Sequence, residues 1–266
     1  MIYVTGDTHG DFSRLINDER LTEEDKVIVC GDFGLLWSRT LKFVNNIKEL
    51  DRLPFQILWV QGNHENYNMI KEYKIEEWNG GKVRHIIKDK VILLERGQVF
   101  NIDGRTFFTF GGASSHDIQG GLVNPYAEDA LEQEMRAIKS MMPYRIIDVS
   151  WWEEELPNEN EMEEGIKNLE KVGYQVDYVI THCLSTNVQE RLERQITRYY
   201  TGTFVPDKLT DYFEKLESKL RYKVWFCGHY HMNYTIDEKH MVLYKMMETI
   251  EDLMEGMELD LGLKEV

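Results

Sequence analysis

Cysteine is scarce in this chain: three occur among 266 residues, Cys30, Cys183 and Cys227. No two form a CxxC pair, so neither a thiolate zinc site nor a disulfide framework is indicated. Each lies in or just after an apolar run, where a free thiol behaves as a small buried hydrophobe in a reducing compartment. Long apolar runs are missing too, and none approaches the roughly 20 residues that span a bilayer. Met1 leads straight into Ile2-Tyr3-Val4, which reads as a core strand. That leaves no room for a basic segment and a cleavable apolar stretch, so a cytoplasmic protein without membrane association is expected. Positive charge is also short: 31 basic residues against 47 acidic ones give a formal net charge of −16. So acidic a chain repels polyanions at long range, which disfavours duplex nucleic acid as a partner. Bound cations can still create a locally positive cleft that accepts a phosphate.

The remaining composition, 42% hydrophobic and 29% charged, is that of an ordinary globular protein. Its length suits one large core or two small ones. No internal repeat or low-complexity linker is visible. Val27–Cys30 and Phe55–Val60 read as buried strands, with helical spacing of apolar residues from Thr40 to Leu50 between them. This rhythm predicts an α/β sheet with crossover helices. Three short runs follow, Val91–Leu94, Gln98–Ile102 and Thr106–Phe110, separated by Glu95-Arg96-Gly97 and Asp103-Gly104-Arg105. These read as hairpins of antiparallel strands. Helices are expected at Tyr126–Lys139 and Glu161–Lys171, and strands at Val176–Ile180, Lys223–Cys227 and His240–Met246. One domain over 1–247 is expected, with the acidic remainder, 248–266, as a C-terminal helix or frayed tail.

Five apolar strands run into the same kind of loop. The loops are Gly6-Asp7-Thr8-His9-Gly10-Asp11, Gly31-Asp32-Phe33-Gly34, Gln61-Gly62-Asn63-His64-Glu65, Thr181-His182-Cys183 and Gly228-His229-Tyr230-His231. Ligands of open α/β sheets gather at the carboxyl ends of strands, so five such ends bring these side chains together. Carboxylate, imidazole and amide donors suit divalent ions of intermediate hardness, manganese first, with iron, zinc and nickel as alternatives. An aspartate can bridge two ions, and glycine lets the backbone turn sharply off a strand. Taken singly the pieces are bland. A lone Gly-Asp is usually a turn, which is how Asp11 and Asp25 read. A lone histidine at a strand end is more often a hydrogen-bonded core residue than a ligand, and Gly228-His229-Tyr230-His231 alone is equally well a turn. The joint pattern differs: of eight histidines, five lie in these loops, and only His85, His116 and His240 do not.

The ordered series GDTHG, GDFG, GNHE, TH and GHYH, from Gly6 to His231, resembles the calcineurin-like metallophosphoesterase superfamily. The series is specific for the superfamily and weakly specific within it. The resemblance implies a four-layer α/β/β/α sandwich of two mixed β-sheets flanked by helices. Matched by position, it implies one metal held by Asp7, His9, Asp32 and His231, and a second held by Asp32, Asn63, His182 and His229, with Asp32 bridging. It implies hydroxide on the metals as nucleophile and His64 as general acid on the leaving group. Together these make a dinuclear phosphoesterase for a phosphomonoester or phosphodiester, with a small or nucleotide-like substrate. The chain departs from the superfamily's protein phosphatases, whose second motif reads GDxxDRG and whose arginine grips the phosphate. Leu35 and Leu36 stand at the Asp-Arg positions, which argues against that activity. Acidity argues against a nuclease, and the intact donor set against a non-catalytic scaffold.

Candidate substrate contacts are Asn63, His116 and Arg39. Arg39 lies near the missing clamp, though an exposed arginine at a helix start is the favoured reading. Gly111-Gly112-Ala113-Ser114-Ser115-His116-Asp117 follows a strand, and such a turn can bring backbone amides to a phosphate. It is also what any tight loop looks like. Trp151-Trp152 reads as core packing in preference to a lid or a base-stacking platform, and Tyr199-Tyr200 carries the same ambiguity. Oligomeric state is not legible.

Overall fold

The structure, a computed structural model, describes residues 1–197 and 204–262. Tyr199 and Tyr200 lie outside the described residues. The first sheet grows from βαβ units: β1 (Ile2–Thr5), α1 (Ser13–Ile16), β2 (Lys26–Val29), α2 (Leu41–Asp51), β3 (Gln56–Trp59) and α3 (Tyr67–Ile70). Thr40 caps α2 by accepting a hydrogen bond from the Phe43 amide. β4 (Ile75–Trp78), β5 (Gly81–Ile87) and β6 (Val91–Leu94) complete one edge. The chain then enters a second sheet with β7 (Gln98–Ile102) and β8 (Arg105–Phe110). β9 (Leu122–Val123), α4 (Ala130–Ser140) and β10 (Arg145–Ile146) form an excursion, followed by α5 (Glu159–Lys171). β11 (Tyr178–Thr181), α6 (Thr186–Ile196), α7 (Lys208–Glu217), β12 (Val224–Cys227), β13 (Tyr234–Thr235) and β14 (His240–Val242) fill the second sheet. β15 (Met247–Thr249) and α8 (Ile250–Asp260) return to the first.

Sheet order is β15-β1-β2-β3-β6-β5-β4 in the first sheet and β13-β14-β12-β11-β8-β7 in the second. In both, a parallel centre is flanked by antiparallel edges. Strand side chains alternate, and the alternation decides the layers. Ile2, Val4, Ile28 and Leu58 of one sheet share a core with Phe107, Ile180, Val224 and Phe226 of the other. Their neighbours Tyr3, Val27, Ile57 and Trp59 face outward, onto Leu15, Leu50 and Ile70 of the first helices. On the far side Phe108, Val179 and Trp225 pack under Leu169 of α5 and Phe213 of α7. This is the expected sandwich of two mixed sheets between helical layers. Among the described residues no helix is long and apolar enough to cross a membrane.

Several local expectations are corrected. β6 and β7 are not a hairpin: β6 pairs with β3 and β5, β7 pairs with β8. Glu95-Arg96-Gly97 is where the chain crosses between sheets. Arg96 is buried there and donates to the carbonyls of Gly111 and Glu154 and to the Tyr67 hydroxyl. The β4–β5 hairpin was not anticipated, although Asn79-Gly80 signals it. Both residues have positive φ, 47° and 94°, as a tight primed turn requires. The helix expected from Tyr126 starts at Ala130. The last expected strand, His240–Met246, ends at Val242 as β14, and a further strand, β15, begins at Met247. β15 pairs with β1, and Ile250, Leu253 and Met257 of α8 enter the core between the sheets. A boundary at 247 therefore falls inside a strand of the first sheet.

Candidate metal centre

Five parallel strands deliver side chains to one edge of the sandwich. Asp7 and His9 follow β1, Asp32 follows β2, Asn63 and His64 follow β3, His182 follows β11, and His229 and His231 follow β12. The first three strands belong to one sheet and the last two to the other, so the cluster exists only when the sheets pack. Four of these donors sit on left-handed backbone: His9 at φ 48°, Asp32 at 46°, His229 at 69° and His231 at 51°. Such geometry costs about 1–3 kcal/mol at each residue bearing a Cβ, and it persists where surrounding structure imposes it. Close approach of backbone is the second device. A Cβ on Gly62 would lie 2.0 Å from Asp32 Oδ1, and one on Gly228 would lie 2.2 Å from Asp7 Oδ1. Both carboxylates occupy space that glycine leaves free.

The donors divide into two sets. In the first, atoms of Asp7, His9, Asp32 and His231 all lie within 4.8 Å of one another. His9 Nε2 is 2.9 Å from His231 Nε2, 3.6 Å from Asp7 Oδ2 and 3.8 Å from Asp32 Oδ2. In the second, His182 Nε2 is 3.3 Å from Asp32 Oδ1 and 3.2 Å from Asn63 Oδ1, which is 3.1 Å from His229 Nδ1. Asp32 belongs to both sets through different oxygens.

The surroundings fit cations. The Cys30 carbonyl lies 2.7 Å from His182 Nδ1 and holds the hydrogen there, which leaves Nε2 facing two oxygen acceptors. Asp7 Oδ2 is buried and has no well-aligned hydrogen bond among the described residues, with His231 Nε2 3.1 Å from it. Burial alone would raise both aspartates. The imidazoles of His231 and His9 outweigh it at Asp7, and that of His182 outweighs it at Asp32, so both carboxyls are held well below the ordinary range. Burial lowers His182, but Asp32 and then Asp7 dominate and lift it to about 9. A proton therefore sits where the oxygen acceptors converge, and a divalent ion satisfies the same geometry by displacing it.

The family model described as calcineurin-like phosphoesterase matches residues 1–233, a span that contains all seven donors and His64. The chain belongs to the calcineurin-like phosphoesterase family. Among curated proteins no sequence matches it. The family's chemistry is metal-dependent hydrolysis of phosphate esters.

Within this phosphoesterase the other expected contacts separate. The Asn63 amide donates to Ser115 Oγ at 3.3 Å, and Ser115 donates to Glu155 Oε2 at 2.6 Å, a relay that turns Asn63 Oδ1 toward the histidines. The ring of His116 stands 5.3 Å from that of His229, edge to face, so His116 borders the centre. Arg39 does not. It is exposed, pairs with Glu72, and lines none of the three cavities that border the cluster. Leu35 and Leu36 are buried in the outer core, so no clamp arises from that motif. Trp152 is fully buried and packs edge-on against Trp37 at 5.7 Å, as core packing requires.

Arg145 is the residue that sequence reasoning missed. Nothing in Pro143-Tyr144-Arg145-Ile146 marks it, because its partners come from four other places in the chain. It is 4% exposed. Its guanidinium donates to the Asn63 and Ser150 carbonyls at 3.1 and 3.0 Å, and lies 2.7 Å from Asp117 and 3.4 Å from Glu155. Nη2 is 2.9 Å from His64 Nε2. Burial lifts Glu155 to about 8, against the pull of Ser115 and Arg145, so Asp117 is the principal ionic partner. Arg145→Met leaves the Asn63 and Ser150 carbonyls without this donor, while the half-exposed Asp117 keeps its solvent, and should cost about 1–3 kcal/mol of stability. Denaturant unfolding measures the cost. An unchanged midpoint would show that the fork carries no structural role.

Proposed function

We propose that this chain is a dinuclear phosphoesterase that hydrolyses a small or nucleotide-like phosphoester, with Asp32 shared between two ions and His64 as general acid. The observation that carries this reading is the division of the Asp32 carboxylate, one oxygen toward each donor set. When bound, two divalent ions supply Lewis acidity for the phosphoryl oxygens and the attacking water. Manganese is the first choice for so mixed an oxygen and nitrogen donor set, with iron, zinc and nickel as alternatives.

The chain's own groups prepare the site. The His64 amide donates to Asp32 Oδ1 at 2.7 Å and the His229 amide to Asp7 Oδ1 at 2.9 Å, so neither carboxylate can swing away. Glu65 is fully buried and accepts from the amides of Phe33 and Gly34, which ties the third loop to the second. His64 stands beside the first donor set, its ring 5.0 Å from that of His9, within reach of a phosphate that metals there would hold.

Three cavities border the cluster. One, of about 240 Å³, is bordered by His9 and His64; a second, of about 370 Å³, by Asp7 and His9; the largest of the three, of about 520 Å³, by His116 and His229. Room on both sides favours a phosphate with two ester groups, and the absent clamp removes a partner that a doubly charged monoester needs. Diester hydrolysis should therefore at least equal monoester hydrolysis. Turnover of 4-nitrophenyl phosphate and of its bis-ester by manganese-loaded protein tests this. No turnover of either would sink the hydrolase reading; strong preference for phosphoserine peptides over every diester would sink the diester reading.

A further inference from the structure

The largest of these cavities has a composition suited to one kind of group. Its apolar side is made by Ala113, Ile118, Phe204, Val205 and Pro206. Among the described residues no lysine or arginine lines it, whereas Asp207 does, so the described lining does not favour an anion. Ser114 and Asp207 are already paired, the hydroxyl donating to the carboxylate at 2.5 Å. Gln189, on α6 and 6% exposed, is different. Its Oε1 accepts from the Tyr230 hydroxyl at 2.6 Å, which fixes the amide plane. Its Nε2 is buried with no hydrogen-bond partner among the described residues, on a residue that lines the cavity. An unsatisfied buried donor destabilises a fold and calls for a partner that the described residues do not supply. The volume, about 520 Å³, is within the usual size of small-molecule sites.

We propose that this cavity holds one ester group of the substrate, and that the group is an uncharged aromatic heterocycle of nucleobase type. A ring nitrogen or carbonyl of that group accepts the Gln189 N–H, while Phe204, Val205 and Pro206 cover its faces. The assignment rests on the phosphoesterase reading for the position of the phosphate, but binding of the heterocycle does not require metal.

Calorimetric titration of the metal-free protein with adenosine, guanosine, cytidine and uridine should show binding of at least one. Gln189→Glu keeps the acceptor for Tyr230 and removes the donor, and should weaken that binding roughly five- to tenfold. Val205 is 76% exposed at the rim, so Val205→Trp fills the cavity without disturbing the core and should abolish binding. With manganese, the 4-nitrophenyl ester of the bound nucleoside's 5′-phosphate should exceed methyl 4-nitrophenyl phosphate in kcat/KM, and Val205→Trp should erase the difference. Absence of nucleoside binding, wild-type binding by Val205→Trp, or equal kcat/KM for the two esters would overturn the proposal. Methyl ester turnover without nucleoside binding removes the cavity assignment and leaves the hydrolase reading. Nucleoside binding lost in Val205→Trp, with no ester hydrolysed, does the reverse.

Discussion

Asp32→Asn should lower turnover by roughly 10³-fold or more, because an amide cannot offer two anionic oxygens to two cations and several kilocalories of Lewis-acid stabilisation go with them. The other six donors remain, so partial filling is expected, and metal analysis should fall from near two ions per chain to well below two. Folding should survive. Asn preserves the shape in the gap that Gly62 leaves, and its carbonyl can still accept from the His64 amide. The metal-free variant loses the ion pair with His182 at 3.3 Å, so that imidazole should be lifted less, with only Asp7 and the Cys30 carbonyl left to oppose burial. A folded Asp32→Asn protein that retains two tightly bound ions would remove the bridging role. One that retains both ions and loses activity would move Asp32 from binding to positioning.

His64→Asn separates acid catalysis from support of the loop. If His64 only buttresses Asn63, its loss should release metal and damage all substrates about equally. If it protonates the leaving oxygen, both ions should stay and the loss should follow the leaving group. General-acid assistance is worth about 10²–10⁴-fold, most for basic alkoxides and least for 4-nitrophenolate, which leaves without a proton. Burial holds this imidazole at about 4 in the metal-free fold; Asp32 opposes that shift and the Arg145 cation adds to it. An arriving phosphoester adds negative charge beside the ring and favours the imidazolium. His64→Asn should therefore keep two ions, lose on the order of 10²-fold or more on alkyl and ribose esters, and lose less on nitrophenyl esters. Equal losses across a leaving-group series at full metal content would leave His64 with positioning alone.

Sequence and tertiary structure contributed different parts of this picture. The strand-end loops were legible because their chemistry is local: glycine, then a carboxylate, amide or imidazole, directly after an apolar run. Strand alternation, in which Ile2 and Val4 face one core and Tyr3 the other, was equally legible. Pairing was not. Val91–Leu94 and Gln98–Ile102 look like two arms of a hairpin, since a strand's apolar pattern does not say which neighbour it bonds. Only packing assigns them to different sheets, with buried Arg96 at the crossing.

By itself the sequence named the candidate donors, because a divalent ion accepts few residue types and the loops present them in order. It also excluded the Asp-Arg clamp, through Leu35 and Leu36. Tertiary structure alone decided that Arg145 reaches His64, that Ser115 and Glu155 orient Asn63, and that Gln189 lines a cavity beside the centre. Each of these depends on groups dozens of residues apart. A donor's chemistry is a property of one residue, but a hydrogen bond or an ion pair is a property of two, and only the folded chain brings the second one near.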